Sequence, residues 1–194
     1  YGTRGANGVI LITTNQGTTG TGEFSLNYNS WFGVNMIRRK PRVLTADEFR
    51  EHRSHLTDYG GNTDWYDAIM NDFSYDNNQY VGFSGSMPNG WYNASLNYKN
   101  AKGMEIGNER WEYGGLFDMT QMALKGLLEF KVSLNLRMTK ADDRGGNFGA
   151  MLTRNPTIPI YNDDGTYFHS NDNATRNNPI EAIHENTSFI NRQF

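Results

Sequence analysis

Cysteine is absent from the 194 residues, which excludes a disulfide framework and the common thiolate metal sites and says little about compartment. Long apolar runs are lacking too. The longest, 9–12 (Val9, Ile10, Leu11, Ile12), is far short of the roughly 20 residues of a membrane helix. Proline numbers only 5, and neither charge sign dominates: 18 Lys and Arg face 21 Asp and Glu, a net −3. Such a balance offers no basic field to nucleic acid. The only charge run, Arg38, Arg39, Lys40 and Arg42, reads as a solvated loop or a contact for a phosphate or lipopolysaccharide headgroup. No signal peptide is visible, and since the chain opens on Tyr1 and stops at Phe194, both ends are expected to be cuts.

Asparagine, glycine and aromatics are plentiful instead: 24 Asn, 21 Gly, 11 Tyr, 11 Phe and 4 Trp. These residues disfavour helices and suit strands joined by turns and polar loops. Mean hydropathy is low at −0.72, but a membrane barrel also scores low, because only alternate residues meet lipid.

Period-two alternation is the main signal. Along 126–139, Leu128, Phe130, Val132, Leu134, Leu136 and Met138 share one face, with Glu129, Lys131, Ser133, Asn135 and Arg137 on the other. Similar patterns cover 109–121 and 91–99, with weaker copies at 79–87 and 23–34. Helices would repeat every three to four residues, so these five segments are expected to be strands. Alternation alone fits a soluble glycan-binding β-sandwich as well as a membrane barrel. Strand length favours the barrel, since globular strands usually run ~5–6 residues. Aromatics at the strand ends (Trp111, Tyr113, Tyr92, Tyr98) match interfacial girdles, and short connections alternate with long ones. The fold class expected is therefore all-β: an antiparallel meander forming part of a transmembrane barrel, with partly helical long loops.

Faces and register follow. Phe130, Val132, Leu134, Leu136, Phe117, Met119, Leu96 and Tyr92 are expected to face lipid, and Glu112, Asp118, Lys131, Asn135, Arg137, Asn97 and Ser95 the lumen. For the last two strands a residue sum of 249 sets Asp118 opposite Lys131 and Glu112 opposite Arg137, with Met122 and Leu127 closing the turn. Thr45 and Glu48 form a capping box for a helix over about 45–56, and a second helix is expected near 64–70. Turn chemistry fills 140–189.

Reactive constellations are scarce. His52 and His55 could share a helix face but lack further ligands. The glycines of 17–22 precede a strand rather than a helix, unlike a phosphate loop. Asp142, Asp143, Asp163 and Asp164 lack calcium-loop spacing. No nucleophile–base set stands out, so no enzyme, cofactor or metal is expected. Trp65, Tyr66, Tyr161, Tyr167 and Phe168 are candidate substrate contacts in the long loops, with packing of those loops as the competing role.

The opening 1–14 (YGTRGANGVILITT) resembles the end of the plug domain of SusC/RagA-type TonB-dependent transporters. Gly2, Gly5 and Gly8 around Arg4 and Asn7 suit a tight turn, after Tyr1, and 17–22 supplies the glycine-rich link. LTADEF at 44–49, NTDW at 62–65 and RNPTIPIYNDDG at 154–165 extend the resemblance along the chain. It implies residues 1–22 as plug end and link and 23–194 as the first part of a barrel of about 22 strands. It further implies an outer-membrane location, import of glycan oligomers or peptides, energy from TonB through a segment not in this sequence, and a SusD-type surface lipoprotein as partner.

Overall fold

The computed structural model describes residues 22–144, 148–171, 177–185 and 189–193. The plug-like motif (Tyr1, Gly2, Arg4, Gly5, Asn7, Gly8) lies outside them. Strands β1 (Phe24–Met36), β2 (Phe73–Met87), β3 (Gly90–Lys102), β4 (Asn108–Ala123), β5 (Leu128–Asp143) and β6 (Phe189–Gln193) form one antiparallel sheet in chain order. Helices α1 (Ala46–His52) and α2 (Trp65–Ile69) lie between β1 and β2, and α3 (Phe148–Thr153) and α4 (Pro179–Glu185) between β5 and β6. No described helix is long and apolar enough to cross a membrane, which says nothing about strands.

Each strand pairs with its neighbours in sequence, as expected for β1 to β5; β6 is an addition, too short to announce itself by alternation. Pairing carries one face unbroken across the sheet. Leu26 opposes Phe83, Val81 opposes Leu96, Ala94 opposes Phe117, and Phe117 opposes Leu134. All the residues expected to face lipid lie on this apolar side. The opposite side carries Asn27, Asn29, Ser95, Asn97, Glu112, Asp118, Asn135 and Arg137, again as the alternation requires.

Several boundaries differ from the sequence reading. β2 starts at Phe73 rather than 79, because 73–78 is too polar to alternate visibly yet pairs with the second half of β1. β3 and β4 likewise run to Lys102 and from Asn108, so 103–107 is a tight hairpin, not a long loop. Gly107 takes φ +87° there, and the Gly103 N–H donates to the Asn108 carbonyl at 2.7 Å. The long connections are therefore 37–72 and 144–188. They share a rim with 103–107, opposite the turns 88–89 and 124–127.

The β4–β5 register is also corrected. Phe117 opposes Leu134, Asp118 opposes Ser133 and Ala123 opposes Leu128, a residue sum of 251, not 249. Parity, and hence the faces, survive. The turn decides the two-residue shift: Leu124, Lys125 and Gly126 all take positive φ, and Leu127 joins them in a four-residue connection at 88% exposure. The shift removes the expected direct charge pairs but costs little. Arg137 still reaches Glu112 diagonally, Nη2 to Oε2 at 2.6 Å, since its own opposite residue is Gly114. The Ser133 hydroxyl donates to Asp118 at 2.6 Å, and Lys131 pairs with Glu129 along its own strand.

A buried apolar core lies in the loops. Trp65, Tyr66, Ile69, Met151, Ile158, Ile180 and Ile183 pack together, with Ile106 of the β3–β4 hairpin against them. The loops thus form a cap on one rim of the sheet.

Candidate functional site

Local chemistry builds the cap. Thr45 and Glu48 make the capping box of α1: the Thr45 hydroxyl accepts from the Glu48 N–H at 3.2 Å, and Glu48 accepts from the Thr45 N–H at 3.0 Å. The helix ends at His52, short of the expected 56, and Arg53 caps it. Asp64 starts α2 by accepting from the N–H groups of Tyr66 and Asp67. Asn178 starts α4 by accepting from Ile180 while donating to the carbonyls of Ile160 and Phe168 at 2.7 and 3.2 Å. It is fully buried, and each polar atom of its side chain is used.

Two distant segments are sewn together at the RNPT stretch. The N–H of Gly61 donates to the Thr157 carbonyl at 2.7 Å, that of Thr63 to the Pro156 carbonyl at 2.9 Å, and the Asn155 amide to the Thr57 carbonyl at 2.9 Å. A Cβ on Gly61 would lie 2.7 Å from the Thr157 oxygen and 2.8 Å from the Pro159 nitrogen. Both are backbone atoms that cannot step aside. Gly61→Val is therefore expected to separate the loops and cost about 1–3 kcal/mol of cap stability, read as faster amide exchange at Gly61 and Thr63.

Charge supports the same joint. Arg50 donates through Nε to Asp58 at 2.9 Å and through Nη2 to the Gly61 carbonyl at 2.8 Å. Arg50, and then the Gly60 N–H, hold the Asp58 carboxyl below its ordinary range. The Thr45 backbone N–H does the same for Glu48. Depressed carboxylates stabilise above their unfolded pKa and lose that contribution as pH falls through the folded one. The 53–63 segment should thus stay protected at neutral pH and become open to pepsin only below about pH 4.

The candidate contact residues divide. Trp65 is 2% exposed. Its ring carries the Arg154 guanidinium at 4.5 Å, and its Nε1 donates to the Asn155 carbonyl at 3.2 Å. Tyr66 is equally buried. Both are core residues here, a correction to the expectation of substrate contact: the apolar faces that could stack on a ligand are covered by Ile69, Ile158 and their neighbours. Phe168 is partly covered by Tyr59 at 5.8 Å, edge to face. Tyr161 remains presented at 48% exposure, while Tyr167, half-buried and packed against the loop core, faces it across a single bridge with the rings 5.3 Å apart. Tyr167 also meets His184 Nδ1 through its hydroxyl at 2.5 Å. Arg154, read in the sequence only as the start of the RNPT stretch, is buried and donates to the Asn177 carbonyl, and burial pushes its pKa down. Among the described residues no group of three or more His, Cys, Asp or Glu could hold a metal.

No family model matches the chain. Two TonB-dependent receptors of Formosa agariphila align with it, at 28% identity over 98% of this chain and at 33% over 86%. TonB-dependent receptor SusC of Bacteroides thetaiotaomicron aligns at 28% over 86%. The chain spans 21%, 18% and 17% of these relatives' own lengths. Among solved structures, the RagAB peptide importer in its closed-closed state matches with a TM-score of 0.61 at 18% identity, covering 87% of this chain and 24% of that one. This likeness shows the fold, a stretch of barrel wall with its loops. The relatives are receptors, not enzymes. The two-faced meander, its one-sided loop cap and these relatives together place the chain in the SusC-type TonB-dependent receptors.

Proposed function

We propose that this chain is the part of an outer-membrane TonB-dependent nutrient transporter in which the plug ends and the barrel begins. Residues 1–22 are the plug end and link; 23–194 are the first barrel strands. The observation that carries the reading is the apolar face that runs across the middle of β1 to β5, backed by a predominantly polar one. A sheet exposed to water on both sides has no use for the first, and among the described residues no second sheet covers it, as a sandwich would require. The apolar side meets lipid, and the polar side lines the plugged lumen. TonB energises import through a segment outside this sequence, and a SusD-type lipoprotein seats on the loop cap. The cargo is a glycan oligomer or a peptide. RagAB is a peptide importer, whereas the paired rings of Tyr161 and Tyr167 with Asn162 beside them suit sugar contact equally well.

The test uses the intact receptor in its own outer membrane, with import of labelled neutral hexasaccharides and labelled hexapeptides measured with and without TonB. TonB-dependent import of either class, and a heat-modifiable band on gels, are expected. Recovery of the protein as a monodisperse soluble domain would instead support the sandwich. Alanine at both Tyr161 and Tyr167 should lower import about tenfold. Unchanged import in that variant would return the two rings to a packing role.

A further inference from the structure

The fold splits the basic run of 38–42 in two. Lys40 is bound to Asp67 and lies 5.8 Å from the centre of the Tyr66 ring, and Arg42 reaches Glu48 at 3.3 Å. Both are thereby engaged by the cap. Arg38 and Arg39 are exposed and make no ion pair among the described residues. They follow directly on Met36, where the apolar side of β1 ends, and the tethered Lys40 holds them near it.

Two lysines close the same side of the sheet at the same rim. Lys102 of β3 opposes Tyr75, and its Nζ lies 5.7 Å from the centre of the ring of Phe73, the residue opposite Met36. Lys140 of β5 opposes Trp111, with its Nζ 5.1 Å from the centre of that ring. Neither lysine makes an ion pair among the described residues. Each ammonium thus rides on an aromatic ring at the edge of the apolar side, as lysines do at a membrane interface. Two carboxylates share this rim. Asp142 is held by Arg144 at 2.6 Å, and Glu109, opposite Lys102, accepts from the Tyr75 hydroxyl at 3.2 Å and the Asn100 amide at 3.1 Å. Cations remain in excess. At the other rim the same side ends on Met87, Gly90, Gln121 and Phe130, without charge. A rim that met only water would need no such choice of sign, side and end together.

We infer that Arg38, Arg39, Lys102 and Lys140 form a binding edge for the phosphate groups of the phosphorylated glycolipid of the outer leaflet. The long loops mark this rim as the outward one. A glycolipid whose acyl chains lie on the apolar face brings its phosphates to the height at which that face ends, against these four cations. Phosphate oxygens then accept charge-assisted hydrogen bonds from guanidinium and ammonium groups. A lipid with an uncharged head gains nothing from them. The inference rests on the barrel reading and adds a partner for its outer surface.

The experiment uses the intact receptor, purified in neutral detergent, and measures how much lipid A and how much dephosphorylated lipid A it retains. Expected is about tenfold better retention of the phosphorylated form, weakening as salt is raised. Arg38→Gln/Arg39→Gln/Lys102→Gln/Lys140→Gln should abolish that preference. Arg38→Gln/Arg39→Gln and Lys102→Gln/Lys140→Gln should each lower it about threefold, which keeps the test open if the fourfold variant does not fold. The charge-keeping Arg38→Lys/Arg39→Lys/Lys102→Arg/Lys140→Arg should retain it, and so should Lys99→Gln/Lys131→Gln on the opposite face. Equal retention of the two lipids by the unaltered receptor would overturn the inference, as would a preference that survives all the glutamine variants. Displacement of lipid A by an equal concentration of inorganic phosphate would also overturn it, marking a site for free anions. Loss of a co-purifying lipoprotein from the glutamine variants with lipid A still preferred would give the edge to a protein partner instead. If the receptor is recovered soluble without detergent, the barrel reading itself fails and this inference with it.

Discussion

Leu134→Arg is expected to destabilise the membrane-folded barrel by ~2–4 kcal/mol. Leu134 is mid-strand in β5, in the apolar series from Leu128 to Met138, and opposes Phe117 on the same face. At that depth an arginine head must be dehydrated or must drag water and headgroups inward, and no carboxylate faces it on β4. Its neighbour Asn135 points to the polar side, opposite Leu116, and Asn135→Asp should stay within about 0.5 kcal/mol. Urea midpoints of the intact receptor refolded into vesicles would read the contrast. Equal costs at the two positions would mean that the faces are assigned wrongly. The register found here leaves this expectation untouched, because a shift of two residues moves no side chain to the other face.

Trp65→Ala should be as damaging to the cap, at about 3–5 kcal/mol. The indole fills the centre of the loop core, and its removal leaves a cavity bordered by Ile69, Met151 and Ile158. It also takes from the Asn155 carbonyl one of its two donors, leaving the Ile158 N–H, and strips Arg154, already short of partners, of the ring beneath its guanidinium. Hydrogen exchange across 57–66 and 154–158 in the intact receptor would report the loss as one cooperative opening, while the β1 to β5 amides stay protected. A variant with wild-type exchange in the cap but lost cargo import would revive Trp65 as a contact residue. Tyr161→Ala, by contrast, should leave exchange in the cap unchanged, since its ring is presented rather than buried.

The limits of the sequence reading follow the physics of each element. Alternation located the middles of β1 to β5 and their faces, because a strand in a two-solvent environment must separate apolar from polar residues at every second position. It missed the ends. At 73–78 and 100–102 the alternation fades, because Asn77, Asn100 and Lys102 put polar groups on the otherwise apolar side, and only pairing with the neighbouring strand holds the chain extended. Capping at Thr45 was legible because it depends on residues three positions apart. The joint between 57–63 and 155–159 was not, because its hydrogen bonds link residues some hundred positions distant through backbone atoms that carry no sequence signature.

The same division separates the candidate sites. Trp65 and Tyr66 looked like ligand platforms because aromatics in a polar loop could serve either purpose; only the packing of 148–153 and 179–185 onto them buries both. The sequence by itself determined the class of sheet, the order of β1 to β5 and which side of each is apolar, since these follow from a period of two and short connections. The tertiary structure alone decided the β4–β5 register, the folding of two long loops into a single cap, and which aromatics stay open. Those depend on a turn's dihedral angles and on contacts between segments far apart in the chain, where many arrangements satisfy the same local pattern.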